Sequence, residues 1–170
     1  MMISLAAAAL LNTAAAPAPA PAMVTPDQLP NLFISACLDG SARAADGSVT
    51  KMEFSALPNE LRSRLGRPSE AQVWKINGSD EAYLYSLSFT ERGYSPKICG
   101  VASQNLVLRP ASAAVETRLR GGAPSAGSYK SVEWLNEQAG YRALATRAGG
   151  YTILQVNWLR DNQAEVPRTQ

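Results

Sequence analysis

The spacing of apolar residues changes period along the chain and divides it into helices and strands. From Thr25 to Leu38, Leu29, Phe33, Ala36 and Cys37 recur at i, i+4, i+7 and i+8, which is one face of an amphipathic helix. Cys37 therefore faces the core with the apolar residues. The start of this helix has two readings. Thr25-Pro26-Asp27-Gln28 fits a capping box with proline at the first helical position. Pro30 would then interrupt the second turn, so the helix could instead begin there. Asp39-Gly40 ends it, glycine suiting the left-handed cap. Ser41 to Ser48 reads as a small-residue loop and Met52 to Leu57 as a helical turn. Pro58 to Leu65 is a better short helix, with Leu61 and Leu65 one turn apart and Gly66 and Pro68 behind them.

After Pro68 the period falls to two. Gln72 to Ile76 alternates as a strand, and Asn77-Gly78-Ser79-Asp80 carries the strongest short hairpin signal. Ala82 to Thr90 is the clearest strand, with Tyr83, Tyr85, Leu87 and Phe89 on one face. Glu91-Arg92-Gly93-Tyr94 turns the chain, and Lys97 to Leu108 returns with Cys99, Val101 and Ser103 on one side. Pro110 to Arg120 is helical, stopped by Gly121-Gly122, and Ala123 to Gly127 reads as a linker. Tyr129–Asn136, Tyr141–Arg147 and Tyr151–Leu159 then form a second meander with turns at Gln138-Ala139-Gly140 and Gly149-Gly150. The expected fold class is α+β: a largely antiparallel sheet of two three-strand meanders, packed by an N-terminal helix and a central helix. The two meanders echo one another in architecture, with no matching residues at a constant period.

The N-terminus adds a compartment. Met1 to Ala22 holds no charged side chain and runs from an alanine–leucine block into Pro17-Ala18-Pro19-Ala20-Pro21-Ala22. An apolar centre followed by small residues is the pattern of an export signal, here with a short linker behind it. A cut before Ala16 suits the pattern better than one before Pro17. The basic start is missing, and the alternative is a disordered Ala/Pro tail on a cytosolic protein. The division is thus 1–22 signal peptide and linker, 23–162 one domain and 163–170 a polar tail. The apolar run falls short of the roughly 20 residues of a membrane span, and no cysteine lies near the cut to take a lipid. A soluble periplasmic or secreted product with no stable membrane anchor after cleavage is expected.

That compartment gives the two cysteines a role. Cys37 and Cys99 lie 62 positions apart and allow one pairing only. An oxidising environment favours the bond, and no Cys-x-x-Cys motif suggests redox chemistry instead.

Composition mainly excludes. The chain has no histidine. This removes Ser-His-Asp and Cys-His catalysis, the common zinc sites and the usual pH switch. A net charge of +2 is no nucleic-acid footprint. Arginine outnumbers lysine, which reflects either a GC-rich genome or arginines recruited for bidentate anion contacts. No glycine-rich phosphate loop occurs, so no cofactor and no metal are expected.

Few constellations carry chemistry. Ser48-Val49-Thr50-Lys51 matches the S-x-x-K pattern of penicillin-recognising enzymes but lacks their K-T-G and S-D-N partners. Glu53 with Glu60 and Asp80 with Glu81 are the available carboxylate pairs for a hydrolytic site. The second pair sits in a hairpin turn, where acids are ordinary solvated residues. Asn77-Gly78-Ser79 matches a glycosylation acceptor. Tyr83 and Tyr85 form an aromatic stripe that is either a ligand face or the core face under a helix.

The segments Phe33-Ile34-Ser35-Ala36-Cys37-Leu38-Asp39-Gly40, Leu57-Pro58-x-Glu60-Leu61, Val73-Trp74 and Cys99-Gly100-Val101 resemble uncharacterised exported proteins of alphaproteobacteria. The resemblance spans about residues 25–160 and implies the disulfide and the compartment, with no activity to transfer. The resulting expectation is a non-enzymatic periplasmic domain that binds a protein, a peptide or an envelope component. The alternative is a small envelope hydrolase using Ser48 and Lys51 or the carboxylates Glu53 and Glu60.

Overall fold

The computed structural model describes residues 22–40, 47–90, 96–119 and 130–158, together with the backbone of 123–128. Eight antiparallel strands form one sheet: β1 (Val49–Met52), β2 (Glu70–Ile76), β3 (Ala82–Ser88), β4 (Lys97–Ser103), β5 (Ala123–Ser128), β6 (Ser131–Asn136), β7 (Tyr141–Ala148) and β8 (Tyr151–Trp158). Their order across the sheet is β1-β2-β3-β4-β8-β7-β6-β5. The helices are α1 (Leu29–Phe33), α2 (Asn59–Leu65) and α3 (Leu108–Leu119). The fold is therefore α+β with an antiparallel sheet, as the alternation of periods indicates.

Two strands exceed the expected six, one in each half. β1 falls between the expected loop and the expected helical turn, taking Met52 from the latter, and β5 falls on the expected linker. Neither has a strong pattern of its own; each exists because a neighbour offers a free edge. β1 pairs with β2 from Val49↔Ile76 to Met52↔Val73. It is also tied to the β2–β3 turn, where Asn77 N donates to Ser48 O (2.8 Å) and Thr50 Oγ1 donates to Asn77 Oδ1 (2.9 Å). β5 contains Pro124, which a sheet accepts only on an edge strand or at a bulge. It occupies one edge and shifts register between Ser125 and Ser128. The expected turn at 91–94, the stop at Gly121-Gly122, the export segment before Ala22 and the terminal tail lie outside the described residues.

Each half is a helix followed by a four-strand meander: α1 with β1–β4 and α3 with β5–β8, α2 being inserted after β1. The last strands of the two halves, β4 and β8, pair antiparallel from Lys97↔Trp158 to Ser103↔Thr152 at the middle of the sheet. The echo read from the sequence is thus an architectural one built around a central strand pair.

The first helix reconciles its two possible starts. A 3-10 turn covers Pro26–Gln28, with Thr25 N donating to Gln28 Oε1 (3.0 Å), and α1 follows with Pro30 in its first turn, where a missing N–H costs little. The last turn, Ile34–Leu38, widens to a π-helix as Asp39 N donates to Ile34 O (2.9 Å). Cys37 is buried there and bonds Cys99 on β4, with Cα atoms 5.4 Å apart. The expected staple between the first helix and the sheet is present.

Alternation puts two cores on the two faces of the sheet. On the inner face α1 and α3 cover Ile76, Leu84, Val101, Leu154, Val156 and Trp134. On the outer face Leu57 and the α2 residues Leu61 and Leu65 cover Val73, Tyr83, Tyr85, Leu87 and Ile153. Gly100 lies under the Tyr85 ring. A Cβ there would stand 2.4 Å from Tyr85 Oη and 2.7 Å from Leu154 O, so only glycine fits.

Ahead of the first helix, the segment at Val24 is locked to the β2–β3 turn. Val24 N donates to Asn77 O (2.8 Å), and the buried Ser79 hydroxyl donates to Val24 O (2.6 Å). Gly78 sits beneath Met23 with φ of 84°, and any side chain there would collide with the Met23 backbone.

Candidate functional site

Among the described residues, the outer face is covered on one side only. α2 has seven residues and lies over the β2–β3–β4–β8 part of the sheet. Beyond it, among the described residues, no helix covers the outer positions of β7 and β6, which are half-buried to exposed. Tyr141, Ala143 and Ala145 of β7 and Trp134 of β6 point into the inner core. Strand alternation therefore sends Arg142, Leu144 and Thr146, and Glu133 and Leu135, to the outer face. Leu135 is 42% exposed.

A groove of about 230 Å³ runs where α2 ends and this open half begins. Arg64 and Leu65 of α2 form one wall, and Leu87, Ile98, Ile153 and Leu144 line the apolar interior. Thr146 and Gln155 supply polar groups. The Gln155 amide is already engaged: it accepts from Tyr85 Oη at 2.9 Å and donates to Asn157 Oδ1 at 2.6 Å. It is held in place and does not rotate freely to meet a ligand. Farther out, Arg142 Nη2 pairs with Glu133 Oε2 at 2.5 Å across β7 and β6.

A second polar cluster sits at the start of β3. Glu81 has a left-handed backbone, φ 47°, which is costly for a residue with a Cβ. Its Oε2 accepts from Tyr83 Oη (2.8 Å) and Tyr151 Oη (3.0 Å). The rings of these tyrosines lie 6.3 Å apart, tilted by 52°. Burial raises the Tyr83 hydroxyl well above the usual tyrosine range, and the Glu81 carboxylate adds to this. Burial raises Tyr151 too, and Glu81 adds to it, while a hydrogen bond from Gln104 acts in the opposite direction. Both rings are almost wholly buried, so the cluster has no open ring face to offer a ligand. It ties the β2–β3 turn to β8. An acid read from sequence as an ordinary turn residue is thus a structural acceptor; its bond from Tyr83 is local, but the one from Tyr151, 70 positions away, has no local signal.

Of the two readings of the aromatic stripe, a ligand face or the core face under a helix, the structure has the core face. Tyr83 is 4% exposed and Tyr85 is wholly buried. The reason is α2, whose leucines cover this part of the outer face. Burial alone pushes the Tyr85 hydroxyl far above its ordinary value.

The serine–lysine arrangement does not assemble. An S-x-x-K site needs a helix to bring the lysine one turn from the serine. Here Ser48 lies in a turn and Lys51 on β1, where residues three apart point to opposite faces. Lys51, Glu53 and Glu60 are all exposed, Glu53 behind β1 and Glu60 on α2. Among the described residues no three carboxylates or cysteines gather as a metal site. The glycosylation match is also explained locally: Asn77 Nδ2 donates to Gly47 O (3.2 Å) while its Oδ1 accepts from Thr50, so the amide is committed to the β1 corner.

No family model matches the chain, and no curated protein or solved structure matches it either.

Proposed function

We propose that this protein is an exported, non-enzymatic domain of the cell envelope that binds a protein or peptide segment on the open half of its outer face. One observation carries the reading: the sheet extends beyond α2 and presents a groove lined by both apolar and polar side chains, with the exposed Leu135 one strand farther out. A contiguous apolar patch left uncovered at a rigid surface marks an interaction site. The groove's 230 Å³ falls below the roughly 300–1,000 Å³ of sites that enclose a drug-sized ligand. It suits one or two side chains of a larger partner better than a free small molecule.

The compartment rests on the uncharged leader and is supported by the formed disulfide. No helix among the described residues is long and apolar enough to cross a membrane. The resemblance to exported alphaproteobacterial proteins points the same way.

The test is site-specific photo-crosslinking in a bacterial envelope. A photoreactive residue at Thr146, in the groove, is compared with one at Glu116, on the exposed side of α3. Defined adducts from 146 and none from 116, on chain recovered by osmotic shock, are the expected result. Equal labelling at both positions, or none at 146, would refute the binding face. Unprocessed chain retained in the cytoplasm would refute the compartment.

A further inference from the structure

The segment at Val24, β1 and the β2–β3 turn meet at Asn77 and Gly78. Both ends of the Asn77 side chain are used: Oδ1 accepts from Thr50 Oγ1 (2.9 Å) and Nδ2 donates to Gly47 O (3.2 Å). Its backbone is used as fully, N donating to Ser48 O (2.8 Å) and O accepting from Val24 N (2.8 Å). A carboxamide supplies an acceptor and a donor on separate atoms, whereas a carboxylate supplies acceptors only. Gly78 is equally constrained. Its φ is 84°, and a Cβ there would stand 2.9 Å from Met23 Cβ and 3.0 Å from Met23 Cα. This corner therefore calls for asparagine followed by glycine, and Asn77 is the one asparagine in the sequence that glycine follows.

That order is chemically labile, because a residue without a side chain lets its peptide nitrogen reach the preceding amide carbon. The Gly78 nitrogen gives up its proton and attacks Asn77 Cγ. The Cγ–Nδ2 bond breaks and ammonia leaves. The succinimide so formed takes up one water and opens to aspartate or to isoaspartate. We propose that Asn77 is a deamidation site guarded by the fold, and that its conversion unlatches β1 and the Val24 segment from the β2–β3 turn. The guard is the pair of side-chain bonds. Thr50 and Gly47 hold the amide against β1, so Cγ meets the Gly78 nitrogen only when the corner opens. Gly78 is exposed and Asn77 half-buried, so water reaches the pair at that moment. After reaction the latch does not close again. Aspartate sets a charged acceptor against Gly47 O, where a donor stood. Isoaspartate routes the main chain through Cγ, and the carbonyl that Val24 N bonds becomes a free carboxylate.

Peptide mapping by mass spectrometry follows residue 77 in the oxidised full chain held in mildly alkaline buffer. Folded chain is compared with chain unfolded in guanidinium chloride and with folded Thr50→Val. That variant keeps a β-branched strand residue and removes the donor to Asn77 Oδ1. Deamidation should be slowest in the folded parent and fastest in the unfolded chain. In Thr50→Val it should run about tenfold faster than in the folded parent, as one lost hydrogen bond of about 1.4 kcal/mol gives. Asn59, Asn105, Asn136 and Asn157, each followed by a residue with a side chain, should stay intact over the same period. Near-ultraviolet circular dichroism checks that Thr50→Val is folded. The consequence is read in Asn77→Asp by amide hydrogen exchange. Exchange at Val24 and along Val49–Met52 should rise about tenfold or more, while Val101 and Leu154 at mid-sheet keep their protection. Parent chain deamidated at 77 and purified gives the same reading if Asn77→Asp does not fold.

A folded rate equal to the unfolded one, or a Thr50→Val rate equal to the parent's, overturns the guard. Unchanged exchange at Val24 and β1 in the converted protein overturns the release. Exchange that rises across the whole sheet, Val101 and Leu154 included, replaces a local latch with general destabilisation and overturns it as well. The corner lies at the β2–β3 turn, so these outcomes are independent of the binding face proposed above.

Discussion

Gly100→Ala tests the central packing of the sheet most directly. Gly100 is not among the glycines with positive φ, so its backbone suits alanine, and in open space the change would stabilise by about 0.4–1 kcal/mol through the unfolded chain. The structure reverses that sign. The added Cβ would stand 2.4 Å from Tyr85 Oη, 2.6 Å from Tyr85 Cζ and 2.7 Å from Leu154 O. Ordinary contacts of such atoms begin near 3.4 Å, so about 1 Å must be found somewhere. Leu154 sits opposite Val101 in the β4–β8 ladder at mid-sheet and cannot retreat without breaking that pairing. Tyr85 is wholly buried beneath α2 and can move only by giving up its hydrogen bond to Gln155. Overpacking of about 1–3 kcal/mol plus about 1 kcal/mol for the hydrogen bond gives a loss of roughly 3 kcal/mol. That is a large share of the roughly 5–15 kcal/mol available to a domain. Urea unfolding followed by tryptophan fluorescence should show the midpoint fall by about 1–2 M at an unchanged slope. Tyr85→Phe in the same chain should recover part of the loss by removing the Oη clash, leaving the Leu154 O clash in place. A Gly100→Ala protein as stable as the parent, or more stable, would refute the argument.

Replacing Cys37 and Cys99 together by serine should cost up to about 4 kcal/mol, from the loop closed over 62 positions, and reductant should reproduce that loss in the parent protein by urea titration. Glu81→Ala should destabilise by about 2–3 kcal/mol, because two nearly buried phenols lose their acceptor. Glu81→Gln keeps an oxygen there and should cost less, so equal losses would argue against the network. Alkaline pH should unfold the protein cooperatively. The hydroxyls of Tyr83, Tyr85 and Tyr151 are held above the ordinary value of 10.0, so above that pH the unfolded chain releases protons that the folded chain retains. Stability then falls by about 1.4 kcal/mol per pH unit for each such tyrosine. Phenolate absorbance from these three should rise together with loss of structure, and independent titration before unfolding would contradict their burial.

The helix face through Leu29, Phe33 and Cys37, the strand through Tyr83 to Leu87, the Asn77-Gly78 hairpin and the α+β class were all legible because each is written in local spacing. So was the disulfide partner, since two cysteines leave one pairing. Other features were beyond local reading. Val49–Met52 and Ala123–Ser128 became strands because β2 and β6 had edges to pair, a property of their neighbours. Tyr83 and Tyr85 became core and not a binding face because α2 happens to cover that part of the sheet, which periodicity cannot report: alternation names a face without saying what lies on it. For the same reason the exposed groove beside Arg64, the acceptor role of Glu81 and the need for glycine at position 100 belong to the tertiary structure. Each depends on atoms brought together from distant strands, whereas the sequence determined which side of each element would seek a partner.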